Sequence, residues 1–155
     1  MDKSIYRQKT IKMLSDYKSK KAAIKTYSLD LQMLDTLIIN NNMAAAYDQP
    51  SGGQTHRVSS RVENEVIKME QQRAWLNSQI ALLNNQVAKV DAALENMEHP
   101  YKTLLRLKYI DGKRWGEVYR SLNYSEEYIR GKMNEMALNL AADYLFPTIL
   151  LNEEA

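Results

Sequence analysis

No cysteine occurs among the 155 residues, which removes disulfides and thiolate metal ligands and suits a reducing compartment. Glycine and proline are scarce as well, at five and three, so few tight turns can be built and a helical chain of one or two small domains is expected. Long apolar runs are missing. The longest, Tyr144 to Leu151, is short and is broken by Pro147, so no membrane span is expected, nor a secretory signal after Met1-Asp2-Lys3-Ser4. The two histidines, His56 and His99, stand far apart with no carboxylate pair at ligand spacing beside them, and no glycine-rich loop joins a strand to a helix. No metal, no cofactor and no nucleophile-base pair is indicated, and enzyme is the poorest of the functional classes.

What the chain does carry is periodicity. Between Ser60 and Met97 apolar residues recur at alternating steps of three and four: Val62, Val66, Met69, Leu76, Ile80, Leu83, Val87, Val90, Leu94 and Met97, with Arg73 the one interruption. Such a heptad seam keeps one narrow stripe facing a partner helix, and the helix would be roughly 55 Å long. Arg73 on the seam suits either a register-setting polar contact or a side chain that snorkels to water. Ser60 with Glu63 fits a capping box at the start of this helix, and His99-Pro100 marks its end, with Pro100 opening the next helix.

Residues 3 to 39 repeat the pattern less strongly, through Tyr6, Met13, Tyr17, Ile24, Tyr27, Leu31, Leu34 and Ile38, with Lys20 on the stripe and a kink allowed at Thr26-Tyr27-Ser28. Residues 40–59 hold Asn40-Asn41-Asn42, Pro50 and Gly52-Gly53, the chemistry of a loop. An all-α fold follows: a long antiparallel, coiled-coil-like helical hairpin over 1–98 with its loop at 40–59, then a small helix-turn-helix domain over 99–142, then an apolar tail over 143–155.

Beyond Pro100 the elements shorten. Leu104, Leu105, Tyr109 and Ile110 mark one amphipathic helix and Asp111-Gly112 a turn. Trp115, Val118, Tyr119 and Leu122 mark a second helix, and Asn123-Tyr124 another turn. Ser125 caps a third helix, whose buried side is Ile129, Met133, Met136, Ala137 and Leu140. Charge is uneven along the chain. Eight basic residues between Lys3 and Lys25 face only Asp2 and Asp16, and eight between Lys102 and Lys132 face Asp111, Glu117, Glu126 and Glu127. Two basic ends flank a mildly acidic stem.

The string from Tyr101 to Trp115 and on through Ser125 to Ala137 resembles the promoter-reading C-terminal domain of sigma factors. The whole chain, with Ala46-Tyr47-Asp48 ahead of Val58-Ser59-Ser60-Arg61-Val62-Glu63, resembles the ArpU/RinA-type transcriptional regulators of phages that infect Gram-positive bacteria. That resemblance implies a phage-encoded regulator that binds double-stranded DNA and activates late genes in the cytoplasm of a bacterial host. Host RNA polymerase would be a further partner and a homodimer the working unit.

The candidate DNA-binding residues are Lys113, Arg114 and Arg120 for phosphates, with Ser125, Glu126, Glu127, Tyr128, Arg130, Lys132 and Asn134 on the third helix. Arg130 or Lys132 suits guanine, Asn134 adenine, and a glutamate the cytosine amino group. The same residues also suit an ordinary solvated helix face, and the N-terminal lysines suit either a clamp on DNA or the wet side of a helix. Two other readings stand beside this one. The first is a protein-interaction module that keeps the helix-turn-helix fold and uses Glu126, Glu127 and Tyr119 on a basic partner. The second is a small terminase subunit.

Overall fold

The computed structural model describes residues 3–47 and 55–147. Every regular element among them is helical: α1 (Lys3–Ser15), α2 (Tyr17–Tyr47), α3 (Thr55–Glu95), α4 (Tyr101–Leu105) running into a π-helical turn π1 (Arg106–Ile110), α5 (Trp115–Leu122), α6 (Glu126–Tyr128), a second π turn π2 (Ile129–Met133) and α7 (Asn134–Leu145). None is long and apolar enough to cross a membrane. The all-α fold with a long helical hairpin is as the periodicity predicts.

The heptad seam of α3 is real at each position from Val62 to Met97: all are buried or half-buried. The chain divides into two compact units, and the division differs from a 1–98 stem followed by a 99–142 module. One unit is Ala22–Asn84, and the other joins the N-terminal residues up to Lys21 with the chain from Asn85 onward. The reason lies in α1. Its most buried residues are Thr10 and Leu14, at 0% and 1% exposure, and Leu14 enters the same core as Leu104, Leu105, Val118, Ile129, Met133 and Ala137. The stripe expected through Tyr6 and Met13 is displaced toward Thr10, whose hydroxyl is satisfied locally by the Tyr6 carbonyl at 2.8 Å; a threonine with an internal acceptor can be buried at little cost.

Helix limits also move. The interruption between α1 and α2 falls at Asp16, not at Thr26-Tyr27-Ser28, and backbone bonds still bridge it (Asp16 N–H to Lys12 carbonyl and Lys20 N–H to Asp16 carbonyl, both 2.9 Å). Thr26 and Ser28 stay helical, with their hydroxyls donating back to the Ala22 and Ile24 carbonyls at 3.1 and 2.7 Å. Asn40-Asn41-Asn42 continues α2, and α3 begins at Thr55, so Ser60 lies inside a helix and the capping box is not formed there. Asparagine and serine are weak helix formers, but they are not breakers as Pro50 and Gly52-Gly53 are. At the other end, α3 stops at Glu95, and Pro100 precedes α4 (φ −93°, ψ −6°) after a cis peptide bond.

In the 22–84 unit, α2 and α3 run antiparallel. Tyr27 meets Trp75 (ring centroids 5.8 Å), Asp35 pairs with Arg73 at 3.0 Å, and the Asn41 amide reaches Met69 at 3.6 Å. Arg73 therefore uses its seam position for a cross-helix ion pair that favours this register. The apolar contact is thin: Leu34, Ile38 and Leu76 are its buried side chains, with Tyr27, Leu31 and Met69 around them.

In the other unit, Arg7 ties α1 to α7 by hydrogen bonds to Glu135 and Asn139 at 3.2 and 3.1 Å. Tyr17 donates to Asp91 at 2.6 Å, a bond that raises the ionisation of the phenol. Phe146 packs on Tyr6, with ring centroids 5.4 Å apart; the rest of the expected apolar tail, from residue 148, lies outside the described residues. Met136 is 43% exposed, not buried, and Leu138, Ala141, Ala142 and Leu145 carry the buried stripe instead. The π turn at 129–133 accounts for this, since its wider turn shifts the phase of every residue after it.

Candidate nucleic-acid interface

The surface formed by α5 and the helix that follows is built by two turns and two caps. Gly112 takes φ +67°, a left-handed conformation that a glycine adopts without strain. The chain then enters α5, where the Glu117 carboxylate accepts from the Arg114 backbone N–H at 3.0 Å. Val118 and Leu122 anchor this helix in the core. Asn123, with φ 58° and ψ 29°, ends it in the left-handed region, where asparagine is among the tolerated residues. Ser125 then caps the third helix by accepting from the Tyr128 N–H at 3.3 Å, and Glu126 and Glu127 occupy its first turn, where the helix dipole favours carboxylates. Ile129 and Met133, at 0% and 1% exposure, fix the helix to the core.

Lys113, Arg114 and Arg120 are exposed, as are Ser125, Glu126, Glu127, Tyr128, Arg130 and Lys132. Asn134 is placed differently. It is half-buried, and its amide oxygen accepts from the Tyr109 hydroxyl at 2.9 Å. It ties the third helix to π1, and one of the two groups needed for bidentate contact with adenine is already in use.

An aromatic line runs beside these cations. The Lys108 ammonium lies 4.7 Å from the Trp115 ring centroid, Trp115 stacks on Tyr119 (6.0 Å, 14° between planes), and the Tyr119 hydroxyl faces Glu126 and Arg130. Loss of water contact pushes the ionisation of that hydroxyl up. Tyr124 and Tyr128 form an exposed pair, with centroids 5.7 Å apart. Lys108 and Tyr124 were not among the residues expected at the site. The spacing of Trp115 and Tyr119, four apart, is the sequence signal that places two rings on one helix face.

The N-terminal cations are disposed otherwise. Arg7 binds Glu135, Lys12 pairs with Asp16 at 3.1 Å and Lys18 with Asp111 at 2.7 Å, while Lys9 and Lys21 lie over Tyr6 and Tyr17. Lys18 and Asp111 also line a small cleft of about 210 Å³ with Tyr17, Leu94, Arg106 and Ile110. Among the described residues no cluster of three or more His, Asp or Glu is placed to hold a metal ion.

No curated protein and no solved structure matches the chain. A family model described as "Protein of unknown function (DUF722)" matches residues 7–142, most of the length, and the chain belongs to that family.

Proposed function

We propose that this protein binds double-stranded DNA through α5 and the helix running from Glu126 through α7, and that it acts as a phage transcription regulator, an activator of late genes that works as a homodimer with host RNA polymerase as a further partner. The observation that carries the reading is a group of cations around α5 and on the helix after it. Among the described residues Lys113, Arg114, Arg120, Arg130 and Lys132 are exposed and enter no ion pair, whereas in the N-terminal segment Arg7, Lys12 and Lys18 are held by carboxylates of the protein itself and Lys3, Lys9, Lys20, Lys21 and Lys25 are not. Unneutralised cations on the outer side of a helix-turn-helix are what phosphate contact and counterion release require.

In this reading Lys113, Arg114 and Arg120 hold the backbone, Arg130 and Lys132 reach base edges, and Tyr128 lies between them; Ser125 caps the reading helix. Glu126 and Glu127 limit affinity for phosphate and confer selectivity at cytosine. A mobility shift of phage late-promoter duplex at low salt tests the proposal: a salt-sensitive shifted band supports it, and no shift by folded protein contradicts it.

The exposed Tyr124–Tyr128 pair favours a second reading, a protein-interaction module, because paired surface tyrosines suit a protein interface. That reading predicts negligible DNA affinity even at low salt. A small terminase subunit would instead form a ring-sized oligomer.

A further inference from the structure

The Ala22–Asn84 hairpin carries a second apolar stripe besides its seam. On α2, Leu29, Met33 and Leu37 recur every fourth residue at 57%, 66% and 43% exposure. On α3, Trp75 and Leu82 are 53% and 51% exposed. Heptad geometry puts Met33, Leu37, Trp75 and Leu82 on the same side of the two-helix layer, with Leu29 at its outer edge. Met33, Trp75 and Leu82 share one outer heptad position, Leu37 flanks the seam on that side, and in antiparallel pairing the corresponding flanks of the two helices adjoin. The Asp35–Arg73 pair and the Asn41–Met69 contact set the register that brings Met33 alongside Trp75. The opposite side of the layer holds Asp35 and Glu70 of the ion-pair network, with Ile39 and Ile67.

This face is depleted in charge to an unusual degree. From Gln71 to Asn84 the sequence of α3 contains a single charged residue, Arg73, and that residue is turned to Asp35 on the opposite side of the layer. The outward neighbours of Trp75 and Leu82 are Gln71, Gln72, Ser78 and Gln79; on α2 they are Thr26 and Thr36, and Asp30, which shares the heptad position of Leu37, is the one charge α2 brings to this stretch of the face. A helix whose outer side meets only water normally carries charge there, whereas loss of charge at the centre of a patch marks an interface.

We propose that this face binds a second copy of the chain, two hairpins packing face to face about a twofold axis into a four-helix layer. Three observations select that occupant. The contact is isologous, so each copy must tolerate its own residues, and leucine, methionine, tryptophan and amides that both donate and accept can do so, with Asp30 the one carboxylate that the twofold must keep apart from its copy. The five side chains are 43–66% exposed, on the order of 500 Å² per copy and the larger part of the roughly 800 Å² per partner that a stable interface uses. The hairpin by itself buries little beyond Leu34, Ile38 and Leu76, and a second layer supplies the core it lacks. This inference places the proposed homodimer contact on the outside of the hairpin and not on the heptad seam. It uses none of the DNA-facing residues, so it and the DNA reading can fail separately.

Analytical ultracentrifugation of the full chain tests it. The expected result is a species of twice the 18.0 kDa chain mass at micromolar concentration, little affected by salt. Met33→Glu with Trp75→Glu shifts it to monomer at unchanged helicity by circular dichroism, with association weakened at least about tenfold. Leu37→Lys, a milder change, weakens it in the same direction, and Ile39→Glu on the opposite face leaves the dimer intact. A monomeric wild-type chain, a larger ring, a dimer that survives both the double variant and Leu37→Lys, or an Ile39→Glu variant that dissociates as far as the double one would overturn the proposal.

Discussion

The Tyr109 hydroxyl donates to the amide oxygen of Asn134 across 2.9 Å, joining π1 to the start of α7. Burial pushes the ionisation of Tyr109 above the ordinary tyrosine value of 10.0, although the charge of Arg7 opposes that shift. A phenol whose folded pKa is raised contributes stability that is complete below the unfolded value and is lost as pH rises through the folded one. Tyr109→Phe is therefore expected to cost about 0.5–1.5 kcal/mol at neutral pH. The gap between wild type and variant should narrow above pH 10.0. Urea melts at neutral pH and in steps above it check both the size and the sign.

Leu14→Ala tests whether α1 belongs to the same core as the helix-turn-helix. Its side chain is 1% exposed in that core, and truncation should cost about 2–5 kcal/mol. Near-ultraviolet circular dichroism should lose the Trp115 and Tyr109 signals along with global unfolding. A variant that melts in two steps, with those signals retained through the first, would separate α1 from the unit.

Long-range order was legible in the chain where one physical rule acts alone. The α3 seam follows a period that only Arg73 interrupts, and the caps at Ser125 and Asn123 follow from side-chain chemistry. What could not be read depended on competition. Thr10 is polar, and its burial becomes visible only once the Tyr6 carbonyl is known to accept its hydroxyl. Met136 fits a 3.6 period that the π turn at 129–133 interrupts. Asn134 looks free for a base in sequence, yet its partner lies 25 residues earlier. The exposed cations on α5 and the third helix could be named from their spacing, whereas the pairing of Lys18 with Asp111 could not, because it joins residues distant along the chain.

Gly131 lies within π2, and a methyl group built there meets no atom within 4 Å. Among the described residues nothing requires glycine at this position. Gly131→Ala is expected to raise stability by up to about 1 kcal/mol, since glycine is the costlier residue in a helix interior. Denaturant midpoints measure it, and a loss of stability would mean that the π turn depends on glycine flexibility.

The two basic regions should differ on DNA. Lys12 is paired with Asp16, so Lys12→Ala should change affinity little. Arg130→Ala removes an exposed cation from the third helix and should weaken binding by about 1–3 kcal/mol if the residue reaches a base edge. Fluorescence anisotropy with one labelled duplex ranks the two variants, and the reverse order would move the DNA surface to α1.

The most direct test of DNA binding through α5 and the third helix is the salt dependence of affinity, wild type against a Lys113→Ala, Arg114→Ala, Arg120→Ala triple variant. If these residues hold phosphates, the plot of log affinity against log salt is steep and negative for the wild type and becomes shallower by roughly three in the variant. Equal slopes in the two proteins, or a wild-type affinity that does not respond to salt, would contradict the account.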